Sequence, residues 1–209
     1  RWNHKLSFKI DNISANLKFN GTTKGWKSKV PGSMWNVILP SAKVTGDIQI
    51  DNKKINVEGI GYHDHNWNVR PSTILNLRGW FWGRFNSKNF IVIWSDVVHS
   101  KDFSTLIFVI NQKNNGYIKI DPENIKFTKK DVRKEKNGKI PHKFKIKINN
   151  DKIFLDVEMK AIDVSHTKVM GFMNYWRYQM IYKGIYEIGD FKEEIDDYQI
   201  AELLQFFRF

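Results

Sequence analysis

Alternation with a period of two runs through almost the whole chain. Leu6-Phe8-Ile10, Leu17-Phe19, Val44-Gly46-Ile48-Ile50, Ile118-Ile120 and Phe144-Ile146-Ile148 place an apolar or small residue at every second position. Successive side chains of a strand point to opposite faces, so this pattern predicts half-buried strands. Phe90 to Val98 and Phe103 to Ile110 are denser apolar runs, predicted as strands covered on both faces. Turn signals punctuate them: Asp11-Asn12, Asn20-Gly21, Pro40-Ser41, Asp51-Asn52, Asn114-Asn115-Gly116, Asn137-Gly138, Asn149-Asn150-Asp151 and Gly189-Asp190. With no helical pattern between strands, the chain reads as all-β, built of antiparallel meanders that form barrels or sandwiches. Asp196 to Phe206 fits a helix or a closing strand, and the strand is preferred.

Composition narrows the function. The 209 residues suffice for one large or two small cores, and 8 Trp with 15 Phe exclude a disordered chain. Without cysteine there is no disulfide framework, thiolate metal site or thiol nucleophile. No apolar run approaches the roughly 18 residues of a membrane-spanning helix. The chain opens at Arg1 with no signal-peptide pattern, so it reads as a processed or excised piece whose compartment is not encoded. The net charge is +12, but Lys, Ile and Asn number 27, 25 and 20 against 7 Arg. All three have A/T-rich codons, and scarce Arg argues against nucleic acid. One block, Lys119 to Lys147, has 11 basic residues against 4 acidic ones, and Gly184 to Phe209 reverses the balance with 7 acids against 2 bases. The block is expected to be a solvated face; the alternative is a polyanion-binding or membrane-surface role, which needs the block to form one contiguous face.

A Pro-Ser-Thr stretch within Arg70 to Asn76 marks the best boundary, giving domains 1–72 and 73–209. The first holds about five strands, too few to close a roughly eight-stranded barrel, whereas the second can close one.

Chemistry concentrates at Gly59-Ile60-Gly61-Tyr62-His63-Asp64-His65-Asn66-Trp67-Asn68. In a strand His63, His65 and Trp67 share one face, and Tyr62, Asp64 and Asn66 the other. His-x-His could bind a metal, but no further ligand follows at suitable spacing, so none is expected. The next segment sets Trp80, Trp82 and Arg84 on one face, and Trp94 and Asp96 share a face of an otherwise apolar strand. A carboxylate there must be paired or protonated, which suits proton donation. Further along, Asn174, Trp176 and Tyr178 share a face. Phosphate loops, a nucleophile elbow and a Ser/His/Asp triad are missing.

Gly61 to Asn68, followed by Trp80 to Gly83, resembles the lipocalin-like family of carotenoid 1,2-hydratase (hydroxyneurosporene synthase), the AttH-like proteins and some fungal Diels–Alder cyclases. That family's hallmark is a Gly-Tyr-x-Asp-His-Asn-Trp-Gly strand followed by Trp-x-Trp-Gly. The resemblance implies two lipocalin-like β-barrels in tandem, the first lacking its opening strands here. It further implies catalysis by His65 and Trp67 with Trp94 and Asp96, where Trp94 replaces the family's Tyr and Asn68 its Gly. The expected activity is a cofactor-independent hydratase, isomerase or cyclase acting on an apolar isoprenoid or polyene, with Asp96 protonating an alkene. Tyr62, Asp64, Trp80, Trp82, Arg84, Trp176 and Tyr178 are expected to line the ligand. His65 and Asp96 are expected in one pocket walled by Trp67, Trp94 and part of the Trp80/Trp82 pair. A non-catalytic carrier of a lipid or hydrophobic metabolite stays open; it would bury Asp96 in a salt bridge with Arg84 or Arg177.

Overall fold

A computed structural model describes residues 2–30, 33–67, 77–100, 102–112, 116–135, 137–171 and 173–206. The boundary stretch, Asn68 and the Asn114-Asn115 turn lie outside them. Alternation has become strands throughout, and the described residues hold no α-helix, only a short 3-10 turn at Pro122–Asn124. Among the described residues no helix is long and apolar enough to cross a membrane. Asp196 to Phe206 belongs to the last strand, as expected.

The first sheet contains β1 (Asn3–Ile10), β2 (Ile13–Gly21), β3 (Trp26–Val30), β4 (Ser33–Ile50) and β5 (Lys53–Trp67). Both β2 and β3 pair with β4 along one side, and β5 pairs along the other. The β4–β5 register shifts between Val37 and Leu39 and again between Leu39 and Ala42. The turn expected at Pro40-Ser41 is instead this irregularity inside β4, where Pro40 has no N–H to donate to the ladder.

The second sheet contains β6 (Gly79–Asn86), β7 (Phe90–Val98), β8 (Ser104–Gln112), β9 (Gly116–Ile120), β10 (Ile125–Glu135), β11 (Gly138–Asn149), β12 (Ile153–Val169), β13 (Met173–Ile188) and β14 (Phe191–Phe206). Their order is β10-β11-β12-β13-β14-β6-β7-β8-β9. Alternate residues of these strands form one apolar interior, including Phe85, Val92, Phe108, Ile146, Leu155 and Tyr182. As the dense apolar pattern predicted, β7 is buried on both faces.

The contacts divide the chain into two compact units: Arg1–Thr73 with Asn111–Tyr117, and Ile74–Ile110 with Ile118–Phe209. The linear domain reading gave Asn111–Tyr117 to the later domain. That segment joins the first unit through Trp26, whose Nε1 donates to Asn111 Oδ1 at 2.9 Å, and Asn111 Nδ2 in turn donates to the Lys24 carbonyl at 3.0 Å.

Two glycines test how tightly the ladders are packed. A Cβ on Gly184 would lie 2.1 Å from the Asp156 carbonyl oxygen, whereas one on Gly59 would meet nothing within 4 Å. Gly184→Ala should cost about 1–3 kcal/mol through overpacking. Gly59→Ala should change stability by only about 0.5 kcal/mol, because its effect is confined to the unfolded chain. Equilibrium urea unfolding of the two variants measures the contrast.

Candidate functional site

Directly opposed residues of an antiparallel pair share a face, so the ladder registers of the second sheet define rows across its interior. One row runs Asp96–Phe81–Leu203–Trp176, and the next Trp94–Gly83–Ala201–Tyr178. In the second row the Trp94 indole lies over Gly83. A Cβ on Gly83 would lie 2.6 Å from the Trp94 indole, so only glycine admits that ring position.

Asp96 is 1% exposed, and its Oδ2 receives a 2.7 Å ion pair from Lys129 Nζ. The ammonium also lies 4.4 Å from the centroid of Phe81 and 5.6 Å from that of Phe127. Aromatic contacts extend this wall: Trp94 on Phe127 at 5.2 Å, Phe127 stacked on Phe144 at 5.9 Å, and Phe144 edge-on to Tyr178 at 6.0 Å. His142 contacts Tyr178 and approaches Glu135 Oε1 to 2.9 Å. Several buried polar atoms here have no hydrogen-bond partner among the described residues: Asp96 Oδ1, Trp94 Nε1, Trp176 Nε1 and the hydroxyls of Tyr178 and Tyr182. Burial raises the Tyr178 phenol's pKa, and the nearby Glu135 charge adds to the effect. It is therefore a neutral donor over the ordinary pH range.

Beside these rows lies a cleft of about 430 Å³, lined by Arg78, Trp80, Phe81, Val98, Leu203 and Phe206 among others. Phe81 belongs to both features. It lines the cleft and carries the Lys129 ammonium on its ring.

The residues expected from sequence divide as follows. Trp94, Asp96, Trp176 and Tyr178 face the same interior. Trp80, Trp82 and Arg84 are opposed to Val97, Ser95 and Ile93, on the other face of the sheet from Trp94 and Asp96. The two Trp pairs therefore do not wall one pocket as expected; the β6–β7 register is offset by one residue from what that required. Trp80 lines the cleft and packs edge-on against Phe206, while Arg84 Nε donates to Gln199 Oε1 at 3.2 Å. Neither arginine considered for Asp96 pairs with it; Arg177 is held by Glu202 and Tyr175.

In the first unit Asp64, not His65, is the connected group. Its Oδ2 accepts from Trp35 Nε1 at 2.7 Å and from the Tyr62 hydroxyl at 2.9 Å. His65 is exposed opposite Asn36, and Trp67 is 47% exposed opposite Met34. His63 packs edge-on against His4 at 4.9 Å. Among the described residues no group of three His, Asp or Glu is placed to hold a metal ion.

Sequence reasoning missed Lys129, Phe127, His142 and Trp35. Lys129 did leave a signal. In Ile125-Lys126-Phe127-Thr128-Lys129 it falls on the apolar parity, unlike its neighbouring lysines.

No protein-family model matches the chain. Over 59 residues it is 32% identical to the quinolone epoxide rearrangement protein asqO of Emericella nidulans, a stretch covering 28% of this chain and 16% of that protein. Solved structures resemble it over nearly its whole length. The AttH-like protein NE1406 of Nitrosomonas europaea matches 99% of the chain with a TM-score of 0.75 and 12% identity. Kievitone hydratase of Nectria haematococca matches 96% with a TM-score of 0.68 and 15% identity, and CghA bound to Sch210972 matches 98% with 0.68 and 9%. The chain spans only 64–65% of the length of these structures. The fold is that of the lipocalin-like hydratases and cyclases, with two curled antiparallel sheets in tandem along the chain, and the resemblance read from the His-Asn-Trp and Trp-x-Trp-Gly strands holds at the level of fold.

Two measurements probe these contacts. Lys129→Met strands a buried carboxylate and should cost about 3 kcal/mol, the lower end for a buried pair because 34% of the lysine side chain is exposed. Asp96→Asn/Lys129→Met should recover part of that loss in the same unfolding assay. His63 has a pKa lowered by burial first and then by His4, against an opposing effect of Asp64, with His65 adding a smaller lowering. The unfolded chain then binds the proton more tightly, so this contribution is complete above about pH 6.5 and is lost as pH falls through the lowered value. Unfolding between pH 7 and 5 should show that slope, and His63→Asn should flatten it.

Proposed function

We propose that the chain belongs to a cofactor-independent enzyme that hydrates, isomerises or cyclises an apolar small molecule of isoprenoid or polyene type. Chemistry would take place in the interior of the second sheet. One observation carries this reading: Asp96 is buried in an aromatic wall with Oδ2 tied to Lys129 and Oδ1 left without a partner. A carboxylate so held has one oxygen fixed in place and the other available to move a proton at a substrate carbon or at a water. Lys129 would anchor Asp96, while the neutral Tyr178 hydroxyl and the Trp94 indole would donate hydrogen bonds to a developing anion. The ring faces of Phe81, Phe127 and Phe144 would stabilise a developing cation, at roughly 1–2 kcal/mol per desolvated contact. The cleft of about 430 Å³ adjoins this wall at Phe81 and Leu203 without being lined by Asp96, and would serve as the approach for such a substrate. The fold of the hydratase and of CghA supports the reading, as does the distant similarity to a rearrangement protein. The roles read for His65 and Trp67 by resemblance belong to the same proposal.

The ion pair also favours a second reading, a carrier that uses the same interior without reaction. The two are separated by incubating the protein with a panel of linear polyenes and isoprenoids in deuterium oxide and reading deuterium incorporation by mass spectrometry. For an enzyme, Asp96→Asn should lower incorporation by about 10²–10⁴-fold while retention of parinaric acid, a fluorescent polyene, is unchanged. Retention of that probe with no incorporation by the native protein would establish the carrier instead. His65→Ala in the same assay tests the role assigned to that residue.

A further inference from the structure

The basic block read as a solvated face becomes one ordered surface of the second sheet. On its outward side Lys126 faces Lys147, Lys130 faces Lys143, Lys134 faces Lys139, and Lys143 also faces Lys160 across the next ladder. Like charges placed directly opposite destabilise a sheet. Lys145 and Lys147 relieve part of this by pairing with Asp156 and Glu158. The six remaining lysines, at 126, 130, 134, 139, 143 and 160, are exposed and make no ion pair among the described residues. They extend roughly 25 Å along β10 and across three strands. Protection of a sheet edge against aggregation accounts for lysines on β10, the terminal strand, but not for those on β11 and β12.

Exposed aliphatic residues lie among these lysines. Val132 is 59% exposed and occupies the outward position between Lys130 and Lys134, opposite Pro141. Ile162 is 52% exposed in the bulge that follows Lys160. On the same sheet the charge reverses toward β14, where Glu194 and Asp196 oppose Ile185 and Lys183. The basic face at the β10 edge thus gives way to acidic positions on β14, the fifth of the nine strands.

We propose that the β10–β12 face docks on an anionic lipid surface. Lysine ammoniums are compact point charges on flexible stems and suit a diffuse layer of headgroups better than a bidentate site. Val132 and Ile162 would enter the interfacial layer, where aliphatic side chains gain from leaving water. The acidic positions on β14 would be repelled, so the β10 edge of the second unit would face the lipid. A nucleic-acid partner is disfavoured because Arg133 is engaged by Asp131 and, among the described residues, the face offers a single partly exposed ring, Phe154.

Vesicle flotation tests this with the whole chain, comparing phosphatidylcholine alone with phosphatidylcholine containing phosphatidylserine, at about 150 mM salt. Binding is expected only with phosphatidylserine, and Lys130→Glu/Lys143→Glu should lower it by more than about tenfold. Lys5→Glu/Lys18→Glu, an opposed pair on β1 and β2 of the first sheet, makes the same charge change and should leave binding within about twofold. Val132→Ser/Ile162→Ser should weaken vesicle binding while leaving retention on heparin at low salt unchanged. Equal losses from the two charge reversals would overturn the proposal in favour of net charge alone. Absence of vesicle binding would also overturn it, and duplex DNA held at the same salt would reassign the face to nucleic acid.

Discussion

The continuous register of β12, β13 and β14 governs the second unit. These strands, each 16 or 17 residues long, stay paired along nearly their whole length, with one shift at Ala161/Asp163. A one-residue slip in a ladder would exchange the inward and outward sets of a strand. Such a slip in β13 would expose Tyr178, Tyr182 and Tyr186 and bury Arg177, Lys183 and Glu187. Core and surface are therefore fixed together. Close approaches reinforce the register, since the backbone around Asp156 passes too near Gly184 for any larger residue.

That register also gives the candidate site its electrostatic character. A lone carboxylate on the inward face would be costly to bury, and Lys129 enters on the same face to neutralise it. Adding an ammonium and several unpartnered donors to the interior gives up some stability that an all-apolar core would provide. Natural proteins commonly accept such local conflicts where they have chemistry to perform. The outward face shows the complementary case, with like-charged lysines opposed across ladders that the apolar interior holds in place.

Much of this was legible from the chain alone. Period-two alternation is a local property, so the strands, the all-β class and the pairing of Trp94 with Asp96 on one face needed no tertiary information. The same holds for Asn174, Trp176 and Tyr178, and for the strand at Asp196 to Phe206. The aromatic motif segments were specific enough to indicate the lipocalin-like fold.

What the sequence could not contain was register between strands. Within β6 and β7 the faces were readable, but which face of one matches which face of the other depends on how the turn and the flanking ladders set the offset. That offset turned Trp80, Trp82 and Arg84 away from Asp96. The partner of Asp96 likewise comes from β10, which joins the sheet at its far end, and the partner of Asp64 is Trp35 on an adjacent strand. Alternation within a strand is dictated by backbone geometry at each residue. Partnership across strands is decided by the packing of the whole sheet, and only the folded chain shows it.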